Sequence, residues 1–189
     1  KRQDDSDPIV RHGGIMALQA LGKALPVAQL SRDKSAAVRL ATLIALRREG
    51  NPAVSTFLAD EQPHIVLEAA RAIADEHIDA AMPALAKLTT RPELSKSVMR
   101  RALNANYRLG QADALAAVAT GDQHADLARG EALNLLGAWA KPSGRDRISG
   151  LWRPVADRDN KGAAAALRDK IDGLLRNATG VVQMEAIGA

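Results

Sequence analysis

The hydrophobic positions of this chain recur with a period close to 28 residues. Val10, Val38, Val66 and Val98 are separated by 28, 28 and 32 residues, and an acidic residue stands five or six positions before each of them. Alanine and leucine then follow at helical spacing. Self-similarity at this period is typical of helical pairs that bury their apolar faces against one another, so the pattern predicts a stack of two-helix units.

The period divides the chain into five predicted units, each with a longer first helix and a shorter second helix. Their approximate bounds are 5–31, 33–59, 60–90, 93–120 and 123–153. Glycine is the residue that most readily takes the left-handed conformation just beyond a helix, so glycines at the end of the first helices fit this division. These glycines are Gly22, Gly50, Gly110 and Gly137.

The repeat fails near the C-terminal end. Residues 142–160 are rich in Pro, Gly, Ser, Arg and Asp, and we interpret them as an irregular insertion rather than as a degenerate sixth unit. Residues 161–176 carry an apolar stripe that predicts one long helix. The chain from residue 181 resembles the start of the third unit, so we expect a truncated next unit there and a larger parent solenoid.

Composition favours an all-α fold in one domain, residues 1–189. The chain is 47% hydrophobic and only 2% aromatic, and alanine and leucine dominate the apolar set. These residues have high helix propensity, whereas strands are rich in β-branched and aromatic residues. No apolar run approaches the roughly 18 residues that a membrane-spanning helix needs, so we expect no membrane insertion.

No residue pattern points to catalysis, to a cofactor or to a metal ion. The chain contains no cysteine, which excludes disulfides, thiolate ligands and covalent haem attachment and leaves the compartment open. Its serines form no Gly-x-Ser-x-Gly elbow. His64 with Glu68, and the acidic residues around His77, are possible metal ligands, but neither set has the spacing of a recognised metal motif. We therefore expect a non-enzymatic segment.

The repeat arginines have a structural and a functional interpretation. Arg11 and Arg39 occupy the same position in successive units, and Asp5, Asp33 and Asp60 lie in the loops before the valines. We favour a structural ladder in which each arginine pairs with a loop carboxylate and ties adjacent units together. The alternative is a basic groove that binds nucleic acid, for which the formal net charge of +4 is weak support.

The repeating pattern, of which Asp33–Val38–Arg39–Ala45–Leu46–Gly50 is the clearest copy, resembles the HEAT repeat in its short bacterial form. The resemblance covers residues 5–137 and implies a right-handed α-solenoid of about five helical pairs. A narrower resemblance is to the HEAT segment of large secreted bacterial proteins of the membrane-bound dehydrogenase type, which also contain propeller and c-type cytochrome modules. It implies an extracytoplasmic location, with redox chemistry in other domains. That narrower resemblance depends on Arg11–His12, Ala37–Val38–Arg39–Leu40–Ala41, Glu68–Ala69–Ala70–Arg71–Ala72–Ile73 and Gly150–Leu151–Trp152–Arg153–Pro154.

These features predict a scaffold that presents a curved surface to another protein or to neighbouring domains. HEAT arrays place their second helices on the concave face, so the resemblance implies partner contacts at Lys87, Gln111 and Asp113. The insertion adds further candidate contacts, because Trp and Arg are frequent at binding hot spots. These are Arg145, Arg147, Trp152 and Arg153.

Trp152 has two possible roles. Large aromatic side chains are mostly buried, which favours a plug where the repeat breaks, and the alternative is an exposed anchor for a partner. A HEAT-like glycosylase or chromophore lyase is the least favoured alternative, because a glycosylase groove requires aromatic residues and this chain has one Tyr, one Phe and two Trp.

Overall fold

The computed structural model describes residues 8–21, 24, 26–177 and 180–188, with the side chains of residues 10, 11, 27, 28 and 177 left undescribed. Within these ranges the protein is helical, and its one extended pairing is an isolated antiparallel bridge between Arg145 and Trp152. The predicted all-α fold is thereby confirmed. The chain divides into two compact units, Lys1–Leu85 and Ala86–Ala189, and this division falls inside predicted unit 60–90.

The first compact unit is built around α3 and α4. Helix α3 packs against α1, and α4 packs against both α3 and the 3-10 helix that lies between them in sequence. The core contains Leu43, Leu46, Phe57, Ile65 and Ile73, all almost fully buried. The helices are α1 (Pro8–Ala20), α2 (Val27–Leu30), α3 (Ala36–Arg48), a 3-10 helix (Pro52–Ala59), α4 (Pro63–Asp75), a 3-10 helix (Asp79–Ala81) and α5 (Met82–Ala86), whose last residue belongs to the second compact unit.

The second compact unit has α8 at its centre. Helices α6, α7 and α11 all pack against α8, and α9 packs against α7. Leu103, Leu115, Leu133 and Leu135 form its fully buried core together with Trp139. The helices are a 3-10 helix (Lys87–Thr90), α6 (Lys96–Leu109), α7 (Ala112–Thr120), α8 (Asp126–Gly137), α9 (Lys161–Leu167), α10 (Ile171–Asn177) and α11 (Gly180–Gly188).

Two helix ends follow the predicted glycine rule and one does not. Gly50 and Gly110 have φ angles of 61° and 75°, in the left-handed region that follows a helix. Gly137 is instead the last residue of α8, and its φ is not positive, so its predicted role was wrong. After α4 the left-handed position is held by His77, with a φ of 60°. Gly22 lies outside the described residues.

The predicted long helix over residues 161–176 is divided into α9 and α10. The chain turns at Arg168, Asp169 and Lys170, where the N–H of Lys170 donates to the carbonyl of Leu167 at 2.9 Å. The two halves pack on different partners: α9 contacts α7, and α10 contacts α11. One straight helix cannot pack against both α7 and α11. The apolar stripe in the sequence does not indicate the turn that separates α9 from α10.

Helix α6 offers a simple test of local stability. Ser95 precedes the helix, and its hydroxyl accepts a hydrogen bond at 3.4 Å from the N–H of Val98, which also donates to the backbone carbonyl of Ser95 at 3.0 Å. We expect Ser95→Ala to lower the free energy of unfolding by about 1 kcal/mol, measured by urea denaturation, whereas Ser95→Thr retains most of it. Equal stability of the alanine and threonine variants would contradict this role of the cap.

Candidate interaction site

The segment that connects α8 to α9, residues 138–160, carries four of the sequence-predicted partner residues. Its middle forms a tight hairpin in which Arg145 faces Trp152. The N–H of Asp146 donates to the carbonyl of Leu151 at 2.9 Å, and the N–H of Arg153 donates to the carbonyl of Gly144 at 2.9 Å. Residues 144–153 are therefore an ordered turn with its own backbone hydrogen bonds, and we call them the hairpin.

Asp146 anchors the hairpin to helix α6. Its side chain is 1% exposed and accepts hydrogen bonds from the backbone N–H groups of Ile148 at 2.9 Å and Ser149 at 3.0 Å. From α6, the amide of Asn104 donates to it at 3.2 Å and the guanidinium of Arg108 at 3.3 Å. A buried carboxylate with this many donors holds the loop in one position.

The same donors set the protonation of Asp146. Burial acts to raise the pKa of this carboxyl, but the hydrogen bonds from Ser149, Ile148 and Asn104, with the charge of Arg108, hold it below its ordinary value. The carboxylate is thus stabilised in its charged form. Arg108 also donates to the carbonyl of Arg153 at 3.1 Å, so α6 holds both sides of the hairpin.

Arg158 provides a second attachment of the connecting segment to the helices. Its guanidinium carbon lies 4.9 Å from the ring centre of Tyr107 and 4.5 Å from that of Trp139. Its two terminal nitrogens are buried and have no hydrogen-bond partner within the described part of the chain. Burial lowers the pKa of Arg158. Contact with two aromatic faces therefore takes the place of an ion pair.

Trp152 is on the surface, with 74% of the residue exposed, and its neighbour Leu151 is 56% exposed. The indole lies directly against Gly144, where a Cβ atom would overlap the ring. The predicted plug was wrong for this residue. The interior position is filled by Trp139, which is 4% exposed and contacts Tyr107 edge to face, so the second tryptophan remains outside.

The other predicted arginines of the segment take part in its folding. Arg145 donates to the carbonyl of Gly150 at 3.1 Å, and Arg147 pairs with Glu131 of α8 at 3.2 Å. A guanidinium nitrogen of Arg153 lies 3.9 Å from the Asp146 carboxylate. Their charges are therefore directed largely into the loop and towards α8, while Trp152 and Leu151 point outward.

The remaining partner candidates lie elsewhere on the second compact unit. Lys87 begins a 3-10 helix, and Gln111 and Asp113 stand at the start of α7; all three are exposed. Within the described residues, no hydrogen bond or ion pair joins them to the hairpin. The structure groups Arg145, Arg147, Trp152 and Arg153 together and leaves Lys87, Gln111 and Asp113 separate from them.

The arginine ladder is visible at one junction of the first compact unit. Arg39 is 5% exposed, and it donates to both carboxylate oxygens of Asp60, at 2.7 and 3.0 Å. It also donates to the backbone carbonyl of Asp33 at 2.8 Å, while the Asp33 carboxylate accepts from the N–H of Ser35. Asp33 therefore contributes its backbone and not its charge. Asp5 and the side chain of Arg11 lie outside the described residues.

Arg39 and Asp60 shift one another's pKa values. Burial acts to raise the pKa of Asp60, and the hydrogen bonds from Arg39 and from the N–H of Gln62 outweigh it, so that the pKa lies below its ordinary value. The hydrogen bond to Asp60 raises the pKa of Arg39. The pair is charged and almost fully enclosed, joining the start of α3 to the loop before α4.

Sequence reasoning assigned no role to Asp146, Arg158, Asn104 or Tyr107. A weak signal was available for two of them. Asp146 is followed by Ser149 and Gly150, residues that are frequent in turns, and Asn104 interrupts the apolar face of a helix, where a buried amide requires a partner.

Across the described residues, no group of three His, Asp or Glu side chains is arranged to hold a metal ion. None of the described helices combines the length and hydrophobicity needed to cross a bilayer.

Comparison with known proteins gives information about the fold and none about an activity. No protein-family model matches the chain, and no curated protein matches it. A solved crystal structure of an engineered protein from the Northeast Structural Genomics Consortium is similar to it, with a TM-score of 0.50 and 17% sequence identity. The match covers 100% of this chain and 92% of that one. At this identity the similarity concerns the arrangement of the backbone alone.

Proposed function

We propose that the chain is a HEAT-like repeat scaffold, a right-handed solenoid segment that docks a partner protein or a neighbouring domain through the hairpin. The observation that carries this proposal is the exposure of Trp152 and Leu151 on a turn whose base is fixed by buried polar contacts. Exposed tryptophan on an ordered element is a feature of binding hot spots, and most of the surface of Trp152 is accessible to a partner.

The fixed base of the hairpin supports docking for an energetic reason. A flexible loop loses conformational entropy when it binds, whereas a loop that is already ordered loses little. Asp146 and Arg158 hold the segment on both sides of Trp152. The residues Gly150–Leu151–Trp152–Arg153–Pro154, which resemble the dehydrogenase-type HEAT segment, form one side of this hairpin. In that architecture the docked partner is a neighbouring propeller or cytochrome domain.

Protein docking is favoured over nucleic-acid binding by the state of the arginines. Arg39, Arg47, Arg108, Arg129 and Arg147 are all engaged with carboxylates inside their own compact unit. A groove for a phosphate backbone needs cations free to converge on the ligand. Binding of duplex DNA or RNA with an affinity that falls steeply with salt would favour the nucleic-acid alternative.

A photo-crosslinking residue at position 152, introduced in the native host, tests the docking proposal. We expect one dominant protein adduct, or an adduct to another domain of the same polypeptide, and none from the matched exposed position Thr56 of the first compact unit. With the purified partner, Trp152→Ala should weaken binding by about tenfold or more, as for a hot-spot residue. Met16→Ala, another exposed apolar truncation, should leave it unchanged. Equal adducts at positions 152 and 56, or unchanged affinity of Trp152→Ala, would refute the proposal.

A further inference from the structure

A groove in the second compact unit lies apart from the exposed tip of the hairpin. It has a volume of about 320 Å³ and lies between the first turns of α6 and α8 and the loop before α6. Leu94, Met99, Leu103 and Leu127 provide apolar walls, and Leu127 is 55% exposed although it stands beside buried leucines. The volume is within the range of small-molecule sites, which are concave and mostly apolar with a few polar groups.

The lining of this groove contains groups that favour an anion. Lys96 and Arg100 line it, and neither forms an ion pair with a carboxylate of the described residues; Arg100 donates only to the backbone carbonyl of Arg147, at 3.4 Å. Glu131 is the one acidic residue among the described residues that line the groove, and Arg147 already binds it. The positive charge of the lining is therefore not balanced within the groove.

His124 supplies an independent indication of a ligand site. It lines the groove, it is 6% exposed, and its Nδ1 atom is buried without a hydrogen-bond partner among the described residues. A buried polar atom without a partner costs free energy unless something binds it. Burial, with the charge of Arg129, lowers the pKa of this imidazole, so the ring is a neutral hydrogen-bonding group at neutral pH.

The start of α8 contributes to the same lining. Its N-cap position is Ala125, which lines the groove and has no side chain to accept hydrogen bonds from the first N–H groups of this 12-residue helix. Helix N-termini attract negative charge. The uncapped helix start, the two cations and the histidine thus lie around one apolar cavity.

We infer that this groove binds a small amphipathic carboxylate, with the apolar part of the ligand against Met99, Leu103 and Leu127 and the carboxylate towards Lys96 and Arg100. The apolar walls by themselves would accept any small apolar molecule. The unbalanced cations Lys96 and Arg100 select an anion among them, and a carboxylate accepts charge-assisted hydrogen bonds from ammonium and guanidinium donors. This inference does not depend on the docking role of Trp152.

Calorimetric titration with octanoate, 1-octanol and octylamine tests the inference, because the three share one apolar chain and differ in charge. We expect octanoate to bind with one site per chain and about tenfold or more tighter than octanol, as one charge-assisted hydrogen bond would provide. Octylamine should bind more weakly than octanol. Equal affinity for octanoate and octanol, or no binding of octanoate, would overturn the inference.

Charge-reversal variants locate the site. Lys96→Glu with Arg100→Glu should weaken octanoate binding by about tenfold or more and abolish the preference over octanol. Arg101→Glu, on the same helix but outside the groove, is the matched control and should leave octanoate binding unchanged. Leu127→Asp, at an exposed position, should remove binding of both ligands while the thermal unfolding midpoint stays near that of the wild type. A loss with Arg101→Glu as large as that of the Lys96→Glu and Arg100→Glu double variant would show general charge attraction and refute the site.

Discussion

Replacing Asp60 by alanine is expected to lower the free energy of unfolding by about 3–5 kcal/mol. The Asp60 side chain is 3% exposed and receives two hydrogen bonds from Arg39, whose own side chain is 6% exposed. Its removal leaves a buried guanidinium without its main counter-charge, and desolvation of that charge is no longer offset. The loss is far larger than the effect of a surface ion pair.

The neighbouring residue provides the control. Glu61 also contacts Arg39, at 3.2 Å, but its side chain is 76% exposed. Glu61→Ala removes the same charge one position away and should cost only about 0.5 kcal/mol. Both variants are compared by urea denaturation followed by circular dichroism at 222 nm. If Glu61→Ala is as destabilising as Asp60→Ala, burial of the pair is not what stabilises this junction.

A double variant separates the pair from the charge that is left behind. Arg39→Met together with Asp60→Ala removes both charges, and replacing a buried ion pair by apolar groups is often close to neutral. We expect this double variant to be more stable than Asp60→Ala alone. The reverse order would mean that Arg39 acts chiefly through its bond to the carbonyl of Asp33.

The sequence was informative about this junction because its partners repeat with the helices. The period places Arg39 one residue after Val38 and Asp60 in the next loop, so one geometric rule brings them together. Helix existence in α3, α4, α6, α7 and α8 follows from the same periodicity. At Pro52–Ala59 the periodicity predicts a helix but not that it is a 3-10 helix. Val54, Ser55 and Thr56 have low α-helix propensity there.

The candidate sites could not be predicted in the same way, since their contacts join residues far apart without periodic spacing. Asp146 meets Asn104 and Arg108, which lie 42 and 38 residues earlier. The size of Trp152 favoured burial. In the structure Trp139 occupies the interior position instead, and composition alone does not indicate which of the two tryptophans is buried. His124 had no recognisable motif. Its lack of a partner is visible only once α6 and α8 are brought together.

Replacing Asp146 by alanine is expected to cost about 3 kcal/mol or more of unfolding free energy and to release the hairpin from α6. The variant leaves Asn104, Arg108 and the N–H groups of Ile148 and Ser149 without their shared acceptor. Asp157→Ala, an exposed carboxylate of the same connecting segment, is the control and should be nearly neutral. With 5-fluorotryptophan, ¹⁹F NMR should show the Trp152 resonance narrowing in Asp146→Ala. An unchanged resonance would mean that Asp146 does not hold the hairpin.

The charge of Asp146 predicts a specific dependence on pH. Because its pKa is lower in the folded protein than the ordinary value of 3.8, the unfolded chain takes up the proton more readily. The stabilisation by this carboxylate is therefore fully present above its unfolded-state pKa and is lost as the pH falls through the folded-state pKa. Asp146→Asn keeps the shape without the charge, so its deficit relative to the wild type should be largest at neutral pH and shrink as the solution is acidified below about pH 4. Contributions from Asp60 and other carboxylates are common to both proteins and cancel. A deficit that stays constant down to the acid limit, or the absence of a deficit at neutral pH, would show that the charge of Asp146 is not what anchors the hairpin.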